Sequence, residues 1–379
     1  ANEVTGEHRV YFGQRLSGGG SHSAVITNDT LFMFGRNNVG QDGIGVTSVL
    51  GDANHPDVAV AVGLLAEGAT TAATPVSAAL GQNASIVLDS TGHVWGFGDN
   101  ANGQLCLGDT TNRLRPTRVE GIDDVVAVHR GFSHTLLLKA DGTVWACGLN
   151  TSGQLGDGTT TARSVPTPVV GLGDIVHING GSQTSYAVDV DGAVWAWGRN
   201  QYGTLGNGLT DTAPHVTPTV VAGVRDVDSL GCGRDHVVAL QTDGVVKAWG
   251  IATALRTDED VTSPVVVADN VAGVVAVYAN GLQSFVEDGA GQLFGWGQNG
   301  SGNLGIPSDA HQATPTTPVF GVTRALDVGI GALHGLALDA DGFVYAWGWS
   351  FQGSLGGGNT VIATWPYRIP ILVLFPEDG

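Results

Sequence analysis

The sequence predicts an all-β fold, a seven-bladed β-propeller built from four-stranded antiparallel blades. Three observations support this prediction: a repeat with a period near fifty residues, four short strand patterns in a repeat, and chain ends that resemble the two halves of one repeat. The chain has 379 residues, and we expect a single propeller domain over residues 1–379.

Each repeat is marked by an anchor glycine that follows an aromatic or small residue. In most copies an asparagine and a second glycine follow at fixed offsets, as in WAWGRNQYGTLG at residues 195–206. Successive anchors are separated by 63, 50, 50, 52, 47 and 51 residues, a period typical of solenoids and propellers. The seven anchors are Gly35, Gly98, Gly148, Gly198, Gly250, Gly297 and Gly348.

The strands of a repeat are clearest in residues 171–220. Short β-rich runs at residues 175–178, 185–188, 193–197 and 217–220 are separated by glycine, Asp-Gly and proline signals, and none shows a helical period. Asp-Gly pairs such as Asp191-Gly192 provide the positive φ angles of a tight hairpin. Each repeat is therefore predicted to be a small antiparallel sheet, and seven sheets around an axis can bury each other's faces.

The chain ends favour a closed ring over a solenoid. Residues 368–374 resemble the last strand of a repeat, and residues 9–12 resemble the first. We therefore expect the N- and C-terminal strands to pair in one blade and close the ring. A solenoid would instead need polar caps at its two ends.

The charge balance argues against nucleic acid as a partner. The net charge is −19, and Lys139 and Lys247 are the only lysines, whereas a phosphate backbone requires clustered cations. A local basic cluster of Arg113, Arg115 and Arg118 is expected to be a solvated loop face balanced by Asp109, Glu120 and Asp123. No apolar segment approaches the roughly 20 residues of a membrane helix, so membrane insertion is not expected.

The cysteines and the first residue bear on the cellular compartment. Cys106, Cys147 and Cys232 have no metal-ligand spacing and predict no disulfide framework; Cys147 takes the place of Trp197 and is expected to be a small buried residue. A chain beginning with Ala1 is compatible with a removed signal peptide. We expect a secreted or cell-surface protein, with a cytoplasmic one as the alternative.

The repeat resembles that of the regulator of chromosome condensation family. The match is fullest at residues 131–158, GFSHTLLLKADGTVWACGLNTSGQLGDG, and covers most of the chain, although the fifth repeat departs from it after Gly250. The resemblance implies a seven-bladed propeller but not one function. Members of the family include a nucleotide-exchange factor for a nuclear small GTPase that docks on nucleosomes, a plant ultraviolet photoreceptor and a secreted bacterial inhibitor of β-lactamases.

Some of these activities fit the sequence poorly. The negative charge opposes nucleosome docking, and no tryptophan lies in the Gly-Trp-Arg-His-Thr signature that the photoreceptor resemblance implies. Exchange activity in the family looks to depend on a wedge-like insertion in one blade. The only long insertion here, residues 49–76, has few charged groups that could displace a nucleotide or its metal.

Histidine and aspartate are common in the repeats, but they are expected to be structural. His22, His134, His236 and His334 occupy a Gly-x-x-His position in the odd repeats, whereas Ala84, Thr184 and Ser284 occupy it in the even ones. Equivalent positions lie in different blades, so these rings are not gathered like metal ligands. The pairs Asp189/Asp191 and Asp339/Asp341 are predicted hairpin turns rather than calcium loops. No motif of an enzyme, cofactor or metal site is present, and we expect neither catalysis nor a cofactor.

Variable loop positions are the candidate binding residues. The loop between the first two strands should occur seven times near the axis and form a rosette on one face, with Gly20, Gln82, Phe132, Ser182, Arg234, Leu282 and Ala332 among its variable members. Arg130, Phe132, Arg234 and Asp235 are the predicted mixed aromatic and charged contact surface. Trp349 and Phe351 form a second, aromatic candidate patch; the alternatives are loop residues without a specific role and packing over the ring closure.

These observations predict a non-enzymatic recognition or assembly propeller, exported from the cell, that binds a protein through one face of the ring. Two other functions remain open. One is guanine-nucleotide exchange on a small GTPase. The other is a carbohydrate-binding or self-assembling surface component, which the Thr-rich loops at 159–161 and 210–219 favour.

Overall fold

Seven antiparallel sheets, each formed by consecutive strands, make up the fold of this computed structural model, which describes residues 15–49, 52, 55–66, 69–358 and 362–369. Blade 1 contains β1 (Leu16–Gly18), β2 (His22–Thr27), β3 (Thr30–Gly35) and β4 (Val60–Val62). Blade 2 contains β5 (Pro75–Leu80), β6 (Ala84–Asp89), β7 (Val94–Gly98) and β8 (Arg113–Arg118). Blade 3 contains β9 (Val125–Arg130), β10 (His134–Lys139), β11 (Val144–Gly148) and β12 (Arg163–Pro168).

The remaining blades follow the same plan with local departures. Blade 4 contains β13 (Ile175–Gly180), β14 (Thr184–Asp189), β15 (Val194–Gly198) and β16 (His215–Val220). Blade 5 contains β17 (Val227–Cys232), β18 (His236–Gln241), β19 (Val246–Gly250) and β20 (Val261–Val267), with the short helix α1 (Ala252–Leu255). Blade 6 contains β21 (Val274–Asn280), β22 (Gln283–Asp288) and β23 (Leu293–Gly297). Blade 7 contains β24 (Ala325–Ile330), β25 (His334–Asp339), β26 (Val344–Trp349) and β27 (Ile362–Arg368), with a 3₁₀ turn at Phe351–Gly353.

The first strands of the blades form the inner wall of a closed ring. Each first strand contacts the first strand of the next blade, and β24 of blade 7 contacts β1 of blade 1. This arrangement confirms the predicted seven-bladed propeller. In blade 6, isolated bridges from Phe294 to Pro318 and from Gly297 to Gln312 stand where the other blades have a fourth strand.

Ring closure is visible as contacts between blades 7 and 1. The backbone N–H groups of Arg15 and Leu16 donate to Oδ2 of Asp327, at 2.8 and 3.1 Å. The Ser23 hydroxyl donates to the Ser354 carbonyl at 2.8 Å. Residues 9–12 and 370–374, which carry most of the predicted terminal pairing, lie outside the described residues.

Two faces of the ring follow from the strand register. In blade 3, His134 pairs with the anchor Gly148, so the loop after the first strand and the loop after the third strand lie at the same edge. We call this edge the rosette face. The opposite edge, which carries the hairpins between second and third strands, we call the hairpin face. There Asp189 Oδ1 accepts the N–H groups of Asp191 and Ala193, at 3.1 and 2.9 Å, and this confirms the predicted turn role.

The anchor position requires glycine. Gly148 has φ of 110°, and a Cβ there would lie 2.5 Å from the Ser133 carbonyl oxygen. The chain leaves the third strand at this point and passes close beneath the first loop of its own blade. A side chain would block that approach, which explains why the repeat is anchored by glycine.

The hydrophobic core consists of layers between neighbouring blades. In one layer Leu136 and Val144 of blade 3 pack with Ile178 and Trp197 of blade 4. Trp197 is fully buried, and its Nε1 donates to the Gln154 carbonyl of blade 3 at 2.9 Å. This interface therefore combines apolar burial with a polar link to the loop of the preceding blade.

The prediction of no disulfide is wrong. Cys106, in the loop of blade 2, is bonded to Cys147 in the third strand of blade 3, with the two Cα atoms 5.5 Å apart. Cys106 has φ of 61° and stands where the next loop has Gly156, and a Cβ at Gly156 would lie 2.8 Å from Nε1 of Trp197. The bond thus replaces a glycine–tryptophan contact between blades. Cys232 is free and buried.

The predicted irregular segments are also irregular in the structure. Helix α1 stands in blade 5 where the other blades have a loop after the third strand, and Leu255 of this helix is buried. The described part of residues 49–76 supplies β4, and Val58 forms a bridge with Gly357 of blade 7. Among the described residues, none of the helices is both long enough and apolar enough to cross a membrane.

Candidate functional site

The first loops of all seven blades surround one cavity at the ring axis. This axial cavity has a volume of about 330 Å³ and opens on the rosette face. One residue at or next to the end of each first strand lines it, and these residues differ from blade to blade: Gly18, Leu80, Arg130, Gly180, Cys232, Ala279 and Ile330. Arg130 is the only charged member of this set.

Main-chain hydrogen bonds tie the loops of the rosette to one another. The N–H groups of Gly20, Gln82, Ser182, Arg234 and Ala332 donate to carbonyls of the next loop around the ring, at 2.8 to 3.4 Å. Arg234 both donates to Gly281 and accepts from Ser182. The backbone around the cavity is therefore held in place while the side chains can vary.

A second ring of residues surrounds the rosette. Each residue after an anchor glycine donates its N–H to a rosette carbonyl, as Leu149 does to Ser133 at 2.9 Å. The seven residues of this outer ring are Arg36, Asp99, Leu149, Arg199, Ile251, Gln298 and Trp349. All are partly exposed, so chemically different side chains frame the cavity.

The alternating histidines connect neighbouring blades. Nε2 of His22, His134, His236 and His334 lies 2.8 to 3.1 Å from the hydroxyl of a serine in the next blade, namely Ser85, Ser185, Ser284 and Ser23. Each of these histidines therefore has a serine partner in the next blade of the ring. These contacts confirm the predicted structural role.

The protonation state of these rings follows from their partners. The Ser185 hydroxyl donates to the Gln154 carbonyl at 2.7 Å, so it must accept from Nε2–H of His134. Nδ1 of His134 is then the unprotonated nitrogen, and it is buried with no hydrogen-bond partner in the described part of the chain. Burial, together with the nearby Arg130 charge, lowers the pKa of His134 to about 3. The ring is neutral at physiological pH.

The predicted alignment of the sixth blade is wrong by one residue. The loop glycine, Gly281, lies one residue later there: Asn280 pairs directly with Gln283, and Gln283 pairs with the anchor Gly297. Gln283, not Ser284, therefore occupies the histidine position, and Ser284 is the serine that receives His236. In the same way Gly281 takes the first rosette position that the sequence assigned to Leu282.

Arg130 is not on the contact surface that the sequence predicted. Its side chain is 3% exposed, and its Nη1 donates to the Gln104 carbonyl and the Thr135 hydroxyl, both at 3.0 Å. The guanidinium lies against Gly81, where the histidine rings of other blades lie against their own loop glycines. Ala84 leaves this space empty in blade 2, and Arg130 fills it from blade 3.

The other predicted contact residues divide into exposed and buried ones. Arg234 is 58% exposed and Phe132 is half-buried, and both lie at the cavity mouth. Asp235 is only 5% exposed, because it turns under the loop toward Arg199 and Arg234. Burial raises the pKa of Asp235, while the two arginines lower it. Asp235 is therefore a support for Arg234 rather than a contact residue.

The second candidate patch lies on the same face. Trp349 is partly exposed in the outer ring, where its N–H donates to the Leu333 carbonyl at 2.9 Å. Phe351 begins the 3₁₀ turn that follows, and its side chain lies outside the described residues. The two candidate patches therefore belong to one surface, which sequence reasoning treated as two.

Arg113 and Arg118 of the basic cluster in blade 2 are neutralised locally, as predicted, but Arg113, Arg115 and Arg118 lie in strand β8 rather than on a loop face. Arg113 pairs with Asp109 at 2.7 Å, and Arg118 lies 4.0 Å from Glu120 and 3.8 Å from Asp123.

Comparison with known proteins identifies relatives along most of the chain. A family model described as the RCC1-like domain matches residues 3–277 and, in a second alignment, residues 123–374. The ultraviolet-B receptor UVR8 of Arabidopsis thaliana is 30% identical over 159 residues, which cover 40% of this chain and 35% of the receptor. The X-linked retinitis pigmentosa GTPase regulator of Homo sapiens is 41% identical over 99 residues, which cover 26% and 9%. These alignments span about a third or less of the relatives' own lengths.

Solved structures share the fold over nearly the whole chain. Yeast RCC1 (Prp20) bound to Kap60 superposes with a TM-score of 0.79 at 21% identity, covering 98% of this chain and 90% of that one. A structure of Prp20p from Saccharomyces cerevisiae, described with its binding to Gsp1p and histones, gives 0.79 at 23% identity, covering 95% and 88%. Human WBSCR16 gives 0.75 at 23% identity, covering 90% and 94%.

Proposed function

Since the chain belongs to the RCC1-like domain family, we propose that it is a non-enzymatic propeller that recognises a protein partner through its rosette face. The observation that carries this proposal is the contrast between a repeated scaffold and a variable rim. Anchor glycines and inter-blade hydrogen bonds recur around the ring, whereas Phe132, Arg234 and Trp349 have no counterpart in the other blades. All three lie on one face.

The face has the physical properties of a recognition surface. Main-chain hydrogen bonds on both sides of Arg234 hold its backbone, so binding would order little beyond the side chain itself. Aromatic residues and arginine are the types that most often dominate the energetics of protein interfaces. The yeast relative Prp20 binds Kap60, and it has also been described as binding Gsp1p and histones, which supports a protein as the partner.

We extend the proposal to the compartment. The Cys106–Cys147 bond supports export to an oxidising environment, because disulfides are rare in reducing cytosol. Differential alkylation and mass spectrometry of the protein from its native cells would test this. We expect both thiols to be blocked before reduction; free thiols at both positions would contradict export.

Site-specific photocrosslinking tests the binding face. A photoreactive phenylalanine analogue at Phe132 should crosslink a discrete partner, whereas the same analogue at Phe343, a 40% exposed aromatic on the hairpin face, should not. Equal crosslinking from both positions would contradict recognition through the rosette face.

Substitutions then separate binding from folding. Phe132→Ala, Arg234→Gln and Trp349→Ala should each weaken partner capture about tenfold, the effect of removing one interface anchor. Their melting temperatures should stay close to that of the unsubstituted chain, because these side chains are half-buried or exposed. A large fall in melting temperature for Trp349→Ala would instead identify that ring as part of the ring closure.

A nucleotide-release assay over a panel of small GTPases addresses the rival activity. One relative is named as a GTPase regulator, so exchange is the specific alternative. Accelerated release by the intact chain, lost in Arg234→Gln, would replace simple recognition with exchange. We expect the release rates to be unchanged.

A further inference from the structure

We propose that the axial cavity is an oxyanion site, in which Arg130 binds a carboxylate or phosphate group with the help of Arg36 and Arg234. This ligand class goes beyond the recognition of a protein by the outer surface of the rosette face. The argument rests on the charge, burial and hydrogen bonding of the cavity wall.

The cavity is positively charged in a strongly acidic protein. The chain has a net charge of −19, yet the residues that line the cavity include three arginines and no aspartate or glutamate. Arg36, Arg130 and Arg234 come from blades 1, 3 and 5, so they approach the axis from different sides. A pocket walled by cations with low-dielectric surroundings concentrates anions.

Arg130 has unused donors in the interior. Nη1 makes both of its hydrogen bonds, and Nε and Nη2 are buried with no partner among the described residues. No carboxylate of the described chain lies within ion-pair distance of this guanidinium. Burial lowers the pKa of Arg130 to about 10, although the Asp99 charge acts to raise it, so the group is still cationic at neutral pH. A buried charge of this kind is costly unless something pairs with it.

A glycine lies against the guanidinium on the side of its unused donors. A Cβ at Gly81 would come within 2.7 Å of Nε and 3.1 Å of Nη2 of Arg130. The absence of a side chain at Gly81 therefore leaves the space next to these buried donors free of a Cβ. Nε and one Nη of arginine can bind two oxygens of a carboxylate or phosphate together.

The two rim arginines differ in how they are held. Nε of Arg36 is also buried without a partner, whereas Nε of Arg234 lies 3.3 Å from Asp235. Arg36 can therefore add charge at the inner rim, and Arg234, being exposed, can reach an anion as it enters. A cavity of about 330 Å³ is at the lower end of ligand pockets, which limits the occupant to a small anion or a single acidic group.

The probes are inorganic phosphate and citrate, titrated calorimetrically into the full chain, with sodium chloride at equal ionic strength as reference. Phosphate and citrate report on phosphate and carboxylate groups respectively. We expect saturable binding of at least one of them and a rise in melting temperature with its concentration. Chloride should produce neither effect. Absence of binding by both probes would overturn the proposal.

Substitutions identify the site. Arg234→Gln and Arg36→Gln should each weaken anion binding about tenfold. Arg130→Lys should weaken it more, because lysine keeps the charge but lacks the planar guanidinium that can donate two hydrogen bonds to one anion. Arg225→Gln is a matched control, because Arg225 is 85% exposed, lies outside the cavity and contacts its following aspartate as Arg234 does. If Arg130→Lys does not fold, the Arg36→Gln/Arg234→Gln double variant provides the test. Unchanged affinity in the cavity variants, or an equal loss in Arg225→Gln, would show non-specific screening instead.

Discussion

The interface between blades 2 and 3 is built differently from the interface between blades 3 and 4. Between blades 3 and 4, His134 contacts Ser185, and Gly156 packs on Trp197. Between blades 2 and 3 the histidine position is Ala84, and Arg130 and Thr135 take over the polar link. The glycine–tryptophan contact is replaced there by the Cys106–Cys147 bond.

The difference shows that the repeat conserves contacts rather than residue types. At both interfaces a polar side chain fills the space beside a loop glycine, and a hydroxyl bonds to the loop carbonyl of the preceding blade, Gln104 or Gln154. What changes is the charge. A neutral imidazole leaves the axis uncharged, whereas Arg130 brings a cation to it.

The largest expected effect is acid destabilisation of the histidine interfaces. Burial lowers the pKa of His134 to about 3 and of His236 to about 4, from 6.5 in the unfolded chain. Their contribution to stability is therefore complete above pH 6.5 and is lost as pH falls toward 4. Each ring costs about 3 kcal/mol over that interval, and four such rings approach the total stability of a typical domain.

Three buried carboxyl groups oppose this trend. Burial raises the pKa of Asp327 to about 6 and also raises the pKa values of Asp42 and Asp235, so their ionisation destabilises the fold as pH rises. Four rings outweigh three carboxyls. We expect the melting temperature to fall steeply below pH 6 in scanning calorimetry. His134→Gln, which keeps a donor for Ser185, should reduce the slope; an identical slope would contradict the assignment.

The second effect concerns the disulfide between blades 2 and 3. Cys106 and Cys147 are separated by 41 residues, and releasing a loop of that length costs about 4 kcal/mol in the chain-entropy estimate. The Cys106→Ser/Cys147→Ser variant should unfold at a lower urea concentration than the oxidised chain. Dithiothreitol should shift the unsubstituted chain in the same direction and leave the variant unchanged. A variant as stable as the oxidised chain would show that the bond adds no constraint.

Much of this architecture could be predicted from the sequence, because glycine spacing and turn signals report local backbone geometry. The four strands expected in residues 171–220 appear as β13, β14, β15 and β16. The disulfide could also have been predicted from the sequence. Cys147 replaces a tryptophan and Cys106 replaces the glycine that meets it from the preceding repeat, so two departures coincide at one interface.

The candidate site was less predictable, because burial of a residue at the end of a strand depends on the neighbouring blade. Arg130 varies among repeats in the way a surface residue would. Only the structure shows that Arg130 occupies the space next to Gly81 in blade 2, which a histidine ring occupies in other blades and which Ala84 leaves empty. The one-residue shift in blade 6 was missed because the loop glycine, Gly281, lies one residue later relative to the paired strands than Gly131 does in blade 3, so an alignment on glycine misplaces Gln283.

The third expected effect is smaller and concerns the loop glycine next to each histidine ring. A Cβ at Gly131 would clash with Cε1 of His134 and lie 2.5 Å from the Gly181 carbonyl oxygen. Gly131→Ala should destabilise the chain by about 3 kcal/mol through overpacking. Gly173→Ala is the matched control, because its Cβ would meet nothing within 4 Å. Chemical denaturation should separate the two variants; equal stability would mean that the loop can move aside.

The smallest expected effect compares the two kinds of polar link directly. Ser185→Ala removes the acceptor of His134 Nε2 and leaves that buried N–H unpaired, which costs about 2 kcal/mol. Thr135→Val removes the corresponding hydroxyl between blades 2 and 3, but Arg130 Nη1 still donates to the Gln104 carbonyl, so we expect about 1 kcal/mol. Urea denaturation of both variants measures the difference. A larger loss for Thr135→Val would mean that Arg130 depends on the hydroxyl for its position, and anion binding by that variant should then weaken as well.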